Sequence, residues 1–589
     1  MTGNGKPWFR LMTTVGSGRL AANEPVRLGL VLAADTAEGI AEDAQAIRES
    51  SLTGLDMTDH RALKLGAVTL DRAEIDVYSH VEIRADLEAT YENPFDPEDI
   101  RVDAEVTAPD GRVRVVPGFY YVPLRLEMRG DSEALVRDGS PDFRVRFTPM
   151  EPGEHSLVLV VRDGDRTVRS EPVRVTARPS GAPGFVRVAA ASPRYFAFDN
   201  GQPYFAVGEN VCWSWNDQAL THYRAWLGGL GAAGGNWARL WLAFNEKGQE
   251  WMPQPTPKGG MGAYLGLGRY AQDNAWRLDE IIRMGEANGV YLMLCLGTFG
   301  EFTEGGYFNE GSWISNPYNA ANGGPCATPG DFWTSPQARQ LYQQRLRYLI
   351  ARWGYSTHVF AWEFWNEVSP TPDQVAWVAE MAAYLKQHDP TGRLVSTTYG
   401  DATTWACPDV DFTMSHMYGS AGNVADFTPM IASEVGNHRA YGKPYLLAEF
   451  GIDWQTYDGK WDPKGTGLNM HNGAWAAALS GAAGTAMLWY WDGYVHPNDL
   501  YHILTPVRRF ADTIDWAHTA FEPLTSVSIE LPPGTPETFS DLQVPSAIEW
   551  GATPSAEYTV RPDGEVEGGP VARTIGSPFR ADPKELNQE

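Results

Sequence analysis

A chain of 589 residues is longer than one hydrophobic core usually supports, so we expect two to four domains. The formal net charge of −27 excludes nucleic acid as a partner, because no basic patch could outweigh that field, whereas a neutral polymer is compatible with it. No apolar run approaches the roughly 20 residues of a membrane span.

The N-terminal region, residues 1–70, is partly β and receives no functional assignment. Residues 26–32 are a predicted strand, and residues 37–50 are weakly helical. The first eight residues lack the apolar core of a signal peptide. Two locations therefore stay open: cytoplasmic if the chain is native as written, and secreted or periplasmic if a signal peptide has been removed.

Residues 71–178 show short runs of alternating apolar and polar residues separated by Pro, Gly and Asp turns, which predicts an antiparallel β-sandwich. Four motifs stand out: Asn93-Pro-Phe, Pro109-Asp-Gly, Gly118-Phe-Tyr and Phe147-Thr-Pro-Met-Glu-Pro-Gly-Glu. With them the stretch resembles the small immunoglobulin-like domain that precedes the barrel in many bacterial glycoside hydrolases. That resemblance implies an accessory role, either as a spacer or in carbohydrate binding.

After a Pro/Gly linker, residues 185–516 alternate strands with helices, the pattern of a parallel sheet. The predicted strands are 204–208, 237–242, 290–296, 359–367, 394–398, 412–418, 444–451 and 485–491. The predicted helices are 221–230, 278–288, 336–353, 372–388, 427–440, 471–482 and 506–513. Eight strands in this order predict a (β/α)8 TIM barrel.

Residues 517–589 return to turn-rich sequence and predict a small C-terminal β appendage with strands near 525–531 and 557–560, followed by a charged, mobile tail from residue 581. Among the four cysteines, Cys326 and Cys407 fall in predicted loops, and whether they pair is left open. No cysteine spacing resembles a zinc site, and we predict neither a metal nor a cofactor.

Two apolar strands end in glutamates, Glu367 within Trp365-Asn-Glu and Glu449 within Ala448-Glu-Phe-Gly. In a β/α barrel, residues at the carboxyl ends of different strands converge on one pocket. Two facing carboxylates suit glycosidic bond cleavage, because one protonates the leaving oxygen while the other attacks the anomeric carbon or activates water. We therefore predict that these two glutamates are catalytic partners.

With these strand ends, residues 190–515 resemble the retaining glycoside hydrolases with an eight-fold barrel, and among them family five, the cellulase and mannanase family. The resemblance implies that Glu367 is the general acid/base and Glu449 the nucleophile. It also implies that Asn366 bonds the sugar 2-hydroxyl and that Arg239 holds Glu449 ionised. Glu367 follows Phe364 and Trp365, and apolar surroundings of this kind predict a raised pKa for an acid.

The resemblance extends to strands six and eight. His416 and Tyr418 share one face of strand six and match the family's His-x-Tyr, where the tyrosine contacts the nucleophile and the histidine contacts the substrate or the acid/base. Trp489 and Trp491 share a face of strand eight, and one of them, with Trp489 favoured, is expected to lie under the sugar at the cleavage point.

The sequence departs from the family after strand three, where residues 296–301 contain Glu301 and no histidine. Glu209, Glu301 and Glu363 are the alternative acids near strand ends. Glu363 has the same strand parity as Glu367, which predicts a position one layer deeper with a partner such as Arg239.

The leading hypothesis is a retaining glycoside hydrolase that cleaves β-glycosidic bonds in a β-glucan or β-mannan type of carbohydrate, with endo or exo action open. One alternative is an α-L-arabinofuranosidase or other exo-glycosidase of the same clan. Another is a catalytically silent carbohydrate-binding protein. The sequence does not define the oligomeric state.

Overall fold

The protein was analysed as a computed structural model, which describes residues 63–214, 218–242, 247–250, 265–304, 312–419, 427–456, 458–521, 559–560 and 566–567. The elements predicted at 26–32, 37–50 and 525–531, and the tail from residue 581, lie outside the described residues. Of the predicted C-terminal strands, the second is represented by β23 (Thr559–Val560), which pairs with β24 (Val566–Glu567).

The N-terminal part is built from two largely antiparallel sheets and a hairpin. One sheet has the strand order β1-β3-β9-β6, the other has the order β2-β12-β10-β4-β5 with β11 beside β10, and β7 pairs only with β8. The strands are β1 Lys64–Leu70, β2 Glu74–Asp76, β3 Val81–Glu88, β4 Ile100–Thr107, β5 Val113–Pro117, β6 Phe119–Tyr121, β7 Leu124–Arg129, β8 Ser132–Arg137, β9 Asp142–Phe147, β10 Gly153–Asp163, β11 Arg166–Arg169 and β12 Val173–Arg178.

Alternating side chains of the two sheets meet in one hydrophobic core. Val81 and Ile83 of β3 and Leu157 of β10 are fully buried there, two residues apart within β3 as the pleat of a strand requires. Strand β1 joins this layer by pairing with β3, although it lies entirely before residue 71, where the sandwich was predicted to begin.

A three-stranded antiparallel sheet connects the two parts of the chain. It consists of β13 Val186–Val188, β14 Phe196–Phe198 and β15 Pro203–Tyr204, and the turn between the last two contains Asp199-Asn-Gly. The Phe196 ring lies 5.3 Å from the Phe360 ring and 5.7 Å from the Phe412 ring, between centroids. This small sheet therefore packs against the amino-terminal ends of the strands that follow.

From residue 208 onward, parallel strands alternate with helices. The strands are β16 Gly208–Asn210, β17 Trp237–Trp241, β18 Tyr291–Cys295, β19 Val359–Glu363, β20 Leu394–Ser396, β21 Thr413–Tyr418 and β22 Tyr445–Gly451. The α-helices are α1 Ala219–Ala232, α2 Gln272–Asn288, α3 Asp331–Thr334, α4 Pro336–Trp353, α5 Pro372–His388, α6 Ala402–Ala406, α7 Thr428–His438, α8 Leu468–Ser480 and α9 Leu504–Ala511. Short 3-10 helices lie at Phe299–Phe302, Ser312–Ser315, Ala320–Asn322, Arg439–Tyr441, Asp458–Lys460 and Leu500–Ile503.

Strands β16 to β20 form one parallel sheet in chain order, and β21 and β22 form a second. Isolated parallel bridges join Phe450 to Leu488 and Gly484 to Ala206, so the segment around residues 484–488 lies between the last parallel strand and the first. The carboxyl ends of all these segments face the same side, because their pairing is parallel.

Two predicted strands need correction. Residues 204–208 are not one strand: Tyr204 pairs antiparallel with β14, and the parallel strand begins at Gly208. Residues 485–491 form only isolated bridges, and a π-helix, Trp491–Val495, starts where the strand was expected to end. The β propensity of the Trp-Tyr-Trp run is overridden by packing, since Trp491 is buried against other tryptophan rings.

The two parts of the chain are joined by a buried ionic contact. Arg146 of β9 donates to Asp279 Oδ1 of α2 at 3.1 Å and to the Arg352 carbonyl of α4 at 2.9 Å. Arg352 itself binds Asp279 at 2.7 Å. Because all three side chains are almost completely buried, the N-terminal sheets are fixed against the helices and are not loosely tethered.

Among the described residues no helix is both long and apolar enough to cross a membrane. All four cysteines are free, including Cys326 and Cys407, so the pair left open by the sequence is not bonded.

Candidate active site

Glu367 and Glu449 come together at the carboxyl ends of the parallel strands. Glu449 lies within β22, where His416 of β21 is its ladder partner, and Glu367 lies four residues beyond the end of β19. One ligand atom from each of Glu367, His416 and Glu449 falls within 4.8 Å of the others. One oxygen of each carboxylate therefore lies within 4.8 Å of an oxygen of the other, a close approach that is compatible with the roughly 5–5.5 Å separation of a retaining pair.

The backbone at Glu367 has a conformation that side chains seldom adopt. Its φ is +56°, in the left-handed region that costs a residue with a Cβ roughly 1 kcal/mol or more. The Glu367 side chain is 23% exposed, whereas that of Glu449 is 4% exposed. Glu367 is therefore the more solvent-exposed carboxyl of the pair.

Arg239 is shared between two carboxylates at the base of the site. Its Nη1 donates to Glu449 Oε1 at 2.5 Å, while its Nε and Nη2 donate to Glu363 at 2.6 and 2.7 Å. Glu363 also accepts from the Thr398 hydroxyl at 2.9 Å. The predicted pairing of Glu363 with Arg239 one layer below Glu367 is therefore present, and Glu363 takes two of the guanidinium's hydrogen bonds.

Asn366 and Asn210 complete the set of groups around Arg239. The Asn366 side-chain oxygen accepts from Arg239 Nη2 at 2.9 Å, and its backbone N–H donates to the Gly297 carbonyl at 2.8 Å. Asn210 donates to the Ala448 carbonyl at 2.9 Å, beside Glu449. Because its oxygen is held by Arg239, Asn366 is left with its amide N–H groups as the donors for a ligand.

Strand β21 places His416 and Tyr418 against the glutamates, as their shared face predicts. The Tyr418 hydroxyl donates to Glu449 Oε2 at 2.7 Å. His416 Nδ1 lies 2.8 Å from Glu367 Oε1 and 3.4 Å from Glu449 Oε2, so it bridges the pair. A group that the sequence did not single out, the Tyr399 hydroxyl, donates to Glu367 Oε1 at 3.2 Å.

The pKa directions within the pair differ from those predicted. Burial raises the pKa of Glu449, and the charges of His416 and Arg239 oppose this rise without cancelling it. Burial also acts on Glu367, but hydrogen bonds from His416 and Tyr399 outweigh it, so the pKa of Glu367 is lowered. The sequence predicted a raised pKa for Glu367 and an ionised Glu449. The difference arises because burial outweighs the charges of His416 and Arg239 at Glu449, whereas hydrogen bonds from His416 and Tyr399 outweigh burial at Glu367.

The two predicted tryptophans have different environments. Trp489 is half-buried, and its ring lies 5.4 Å from that of Trp213 and 5.6 Å from that of Trp241. Trp491 is only 1% exposed and packs against Trp213 and Trp226. Trp489 can therefore offer a ring face to a ligand, whereas Trp491 belongs to the core beneath it.

The remaining alternative acids do not join the pair. Glu209 is fully buried, and neither carboxylate oxygen has a hydrogen-bond partner among the described residues, so burial raises its pKa well above the usual value. Glu301 is buried in the 3-10 helix after β18, and burial raises its pKa to about 8. Its Oε1 accepts from the backbone N–H of Thr298 at 3.2 Å, which is a capping contact.

Sequence reasoning missed Tyr399, Asn210 and Trp213. Asn210 had a local signal, because it ends the first parallel strand beside Glu209. Tyr399 and Trp213 lie in loops, and their neighbours come from other strands, so no local pattern in the sequence indicates their contacts.

The site has the donor set of a metal centre as well as that of an acid–base pair. Within the described structure, one group of acidic and histidine residues has ligand atoms close enough to hold an ion, and it consists of Glu367, His416 and Glu449. Two carboxylates and an imidazole suit zinc or a similar transition metal. The hydrogen bonds from Arg239, Tyr399 and Tyr418 already satisfy these carboxylates, so the arrangement is also complete without an ion.

Together, a close carboxylate pair, a buried arginine under one carboxylate and a half-buried tryptophan at the carboxyl ends of parallel strands are the features expected of a glycoside hydrolase site. Three comparisons with known proteins bear on this expectation. Residues 74–160 match the family described as "Domain of unknown function (DUF5060)".

The sequence relatives are mannan-cleaving enzymes by name. The chain is 30% identical over 263 residues to mannan endo-1,4-beta-mannosidase 3 of Oryza sativa subsp. japonica, covering 37% of this chain and 52% of that protein. It is 25% identical over 284 residues to mannan endo-1,4-beta-mannosidase F of Aspergillus clavatus, covering 43% and 58%. The chain thus spans about half the length of these curated relatives, and its resemblance to glycoside hydrolases is confirmed.

Solved structures that align with part of the chain include the endo-1,4-beta-mannanase of Rhizomucor miehei, at 16% identity and a TM-score of 0.42, covering 55% of this chain and all of that one. A glycoside hydrolase family 5 mannosidase of Rhizomucor miehei is 14% identical with a TM-score of 0.40, covering 56% and 99%.

Proposed function

We propose that the protein is a retaining glycoside hydrolase that cleaves β-mannosidic bonds within a mannan-type polysaccharide by a two-glutamate double displacement. The observation that carries the proposal is the close approach of Glu367 and Glu449, with Arg239 and Tyr418 bound to Glu449. The printed names of the sequence relatives support mannan as the substrate and internal bonds as the point of cleavage.

In the first step Glu449 attacks the anomeric carbon while Glu367 protonates the leaving oxygen. Glu449 suits the role of nucleophile because both of its oxygens are held in place, by Arg239 at 2.5 Å and by Tyr418 at 2.7 Å. Glu367 is the more exposed carboxyl, which suits a group that exchanges a proton with the leaving group and then with water. In the second step Glu367 takes a proton from a water molecule whose oxygen attacks the anomeric carbon, and the bond between that carbon and Glu449 breaks.

The number of charges in the site explains why it binds the proton that the first step requires. Arg239 brings one positive charge to three carboxylates, Glu363, Glu449 and Glu367, so the site favours the uptake of a proton that belongs to the pair as a whole. We propose that this proton resides on Glu367 once a sugar separates the two carboxyls. Glu449 then keeps its two hydrogen bonds as an anion, while Glu367 donates to the leaving oxygen.

The architecture proposed with this function is a closed (β/α)8 barrel at 185–516, preceded by an immunoglobulin-like sandwich at 71–178 and followed by a β appendage at 517–589. The two parallel sheets and the isolated bridges between Phe450 and Leu488 and between Gly484 and Ala206 support closure. A polymeric substrate does not cross a membrane, so we also propose a secreted or periplasmic location, which fractionation of the source cells tests.

The test is hydrolysis of a panel of substrates: β-1,4-mannan, β-1,4-glucan, and aryl glycosides of hexoses and of arabinofuranose. We expect reducing ends from mannan, a rapid fall in its viscosity, and products that keep the β configuration at first release. Cleavage of the arabinofuranoside alone would establish the alternative exo-glycosidase. Glu449→Ala is expected to lose turnover while keeping its affinity for manno-oligosaccharides, and unchanged hydrolysis by this variant would refute Glu449 as the nucleophile. Binding without any hydrolysis by the unmodified chain would establish the silent receptor.

A further inference from the structure

Helix α1 is capped by a residue from a different part of the chain. The first backbone N–H groups of a helix have no acceptor within the helix and need one from outside. The first turn of α1 contains no acidic residue, and the side chain at its N-cap position, Gln218, does not cap it. The acceptor is Glu133 of strand β8, more than 80 residues earlier in the sequence.

Glu133 makes three hydrogen bonds with the first turn of α1. The backbone N–H of Leu220 donates to it at 2.9 Å, that of Thr221 at 2.7 Å, and the Thr221 hydroxyl at 2.9 Å. Glu133 is 9% exposed, so these are buried, charge-assisted bonds at the positive end of a helix. Strand β8 lies within residues 74–160, the stretch that matches the family of unknown function.

Side-chain contacts connect the first turns of α1 to Trp489, the residue proposed as the platform on which a sugar stacks. The Ser214 hydroxyl, four residues before Gln218, lies 2.7 Å from His222 Nδ1 in the first turns of α1. The neighbouring Trp213 is 7% exposed and places its ring 5.4 Å from that of Trp489. A continuous series of contacts therefore runs from the β7–β8 hairpin through α1 to Trp489.

We propose that Glu133 is a positioning residue and that the β7–β8 hairpin of the N-terminal sheets holds the substrate platform of the active site in place. That the platform binds a sugar rests on the proposed function, whereas the contacts between Glu133 and helix α1 do not depend on it. The hairpin can do this because the N-terminal sheets are fixed to the helices through Arg146, Asp279 and Arg352. The stretch at 74–160 thus helps to form the sugar site around Glu367 and Glu449. It does not need a sugar site of its own to have this role.

The test compares Glu133→Ala and Glu133→Gln with Glu127→Ala. Glu127 lies in the same hairpin, but its side chain is 35% exposed and pairs with Arg125 on the surface. Glu133→Ala removes the cap of α1. If this loss displaces Trp489, the KM for mannan should rise roughly threefold to thirtyfold, while kcat should stay within about twofold of the unmodified chain. Glu133→Gln keeps one acceptor oxygen and should recover part of the KM, and Glu127→Ala should change neither constant.

Hydrogen–deuterium exchange provides a readout that does not depend on catalysis. Glu133→Ala should accelerate exchange in peptides that cover residues 209–227 and leave those around Glu449 unchanged. Should Glu133→Ala fail to fold, Glu133→Gln is measured in the same two ways. A lowered melting temperature with unchanged KM and unchanged local exchange would show that Glu133 is only structural and would overturn the inference. Faster exchange in a chain that hydrolyses no mannan would support the inference and defeat the proposed function instead.

Discussion

Replacing Glu363 by glutamine tests whether the division of Arg239 between two carboxylates sets the acidity of the nucleophile. Glu363→Gln has nearly the same shape but removes one of the two negative charges on Arg239, so Glu449 becomes the main partner of the guanidinium. The pKa of Glu449 should then fall from its raised value. Because Glu449 must be ionised to attack, the acid limb of the pH profile of kcat/KM should move to lower pH.

The same substitution should also cost stability. Glu363 accepts two hydrogen bonds from Arg239 and one from Thr398, and all of these groups are fully buried. Breaking a buried ion pair by removing one charge costs about 3–5 kcal/mol. For a domain of about 330 residues that corresponds to a melting temperature lower by roughly 4–7 °C.

The assay is the pH dependence of kcat/KM on an activated aryl glycoside, together with a thermal melt at the pH optimum. The control is Glu380→Gln, because Glu380 pairs with Arg339 on the surface at 2.9 Å with its side chain 38% exposed. An exposed pair of this kind is worth about 1 kcal/mol or less, so the control should shift neither measurement noticeably. An acid limb that stays in place or moves to higher pH in Glu363→Gln would refute the shared-arginine reasoning.

Four further outcomes follow from the site. Tyr399→Phe removes a donor that lowers the pKa of Glu367, so the alkaline limb of kcat/KM should move to higher pH; a shift to lower pH would contradict the proposed acid role. Glu301→Gln should raise the melting temperature at pH 7 and have little effect near pH 4.5. In the folded state Glu301 stays protonated up to about pH 8, whereas in the unfolded chain it is already ionised at pH 7. This difference lowers the free energy of unfolding at pH 7 by an amount on the order of 3 kcal/mol. Trp489→Ala should raise KM with little loss of stability, whereas Trp491→Ala should cost about 3–5 kcal/mol in unfolding free energy, which calorimetry separates from kinetics. Dialysis against EDTA should leave mannan hydrolysis unchanged, and activity that is lost and then restored by added zinc would assign a metal to the glutamate pair.

The features that the sequence determined are those with local causes. Helices α4 and α5 begin and end where they were predicted, because each starts with a capping hydroxyl, Ser335 or Thr371, followed by proline at the first helical position. The alternation of apolar strands with helices is also a local pattern, and it indicated parallel sheets. Because side chains at the carboxyl ends of parallel strands face one pocket, this pattern predicted that Glu367, Glu449, His416 and Tyr418 lie close together.

Tertiary structure decided the features that depend on sharing and on remote neighbours. Arg239 was expected to serve Glu449, but Glu363 takes two of its bonds. Burial raises the pKa of Glu449, and hydrogen bonds from His416 and Tyr399 lower the pKa of Glu367, so the pKa directions of the pair are the reverse of those predicted. The segment at 485–491 has strand propensity, yet the burial of Trp491 ends its extended course. Glu133 caps a helix far along the chain, and no pattern of residue spacing records such a contact. The sequence thus determined the strand-end residues that meet in the pocket, whereas the contacts of Tyr399, Asn210 and Trp213 and the sharing of Arg239 between two carboxylates follow only from the tertiary structure.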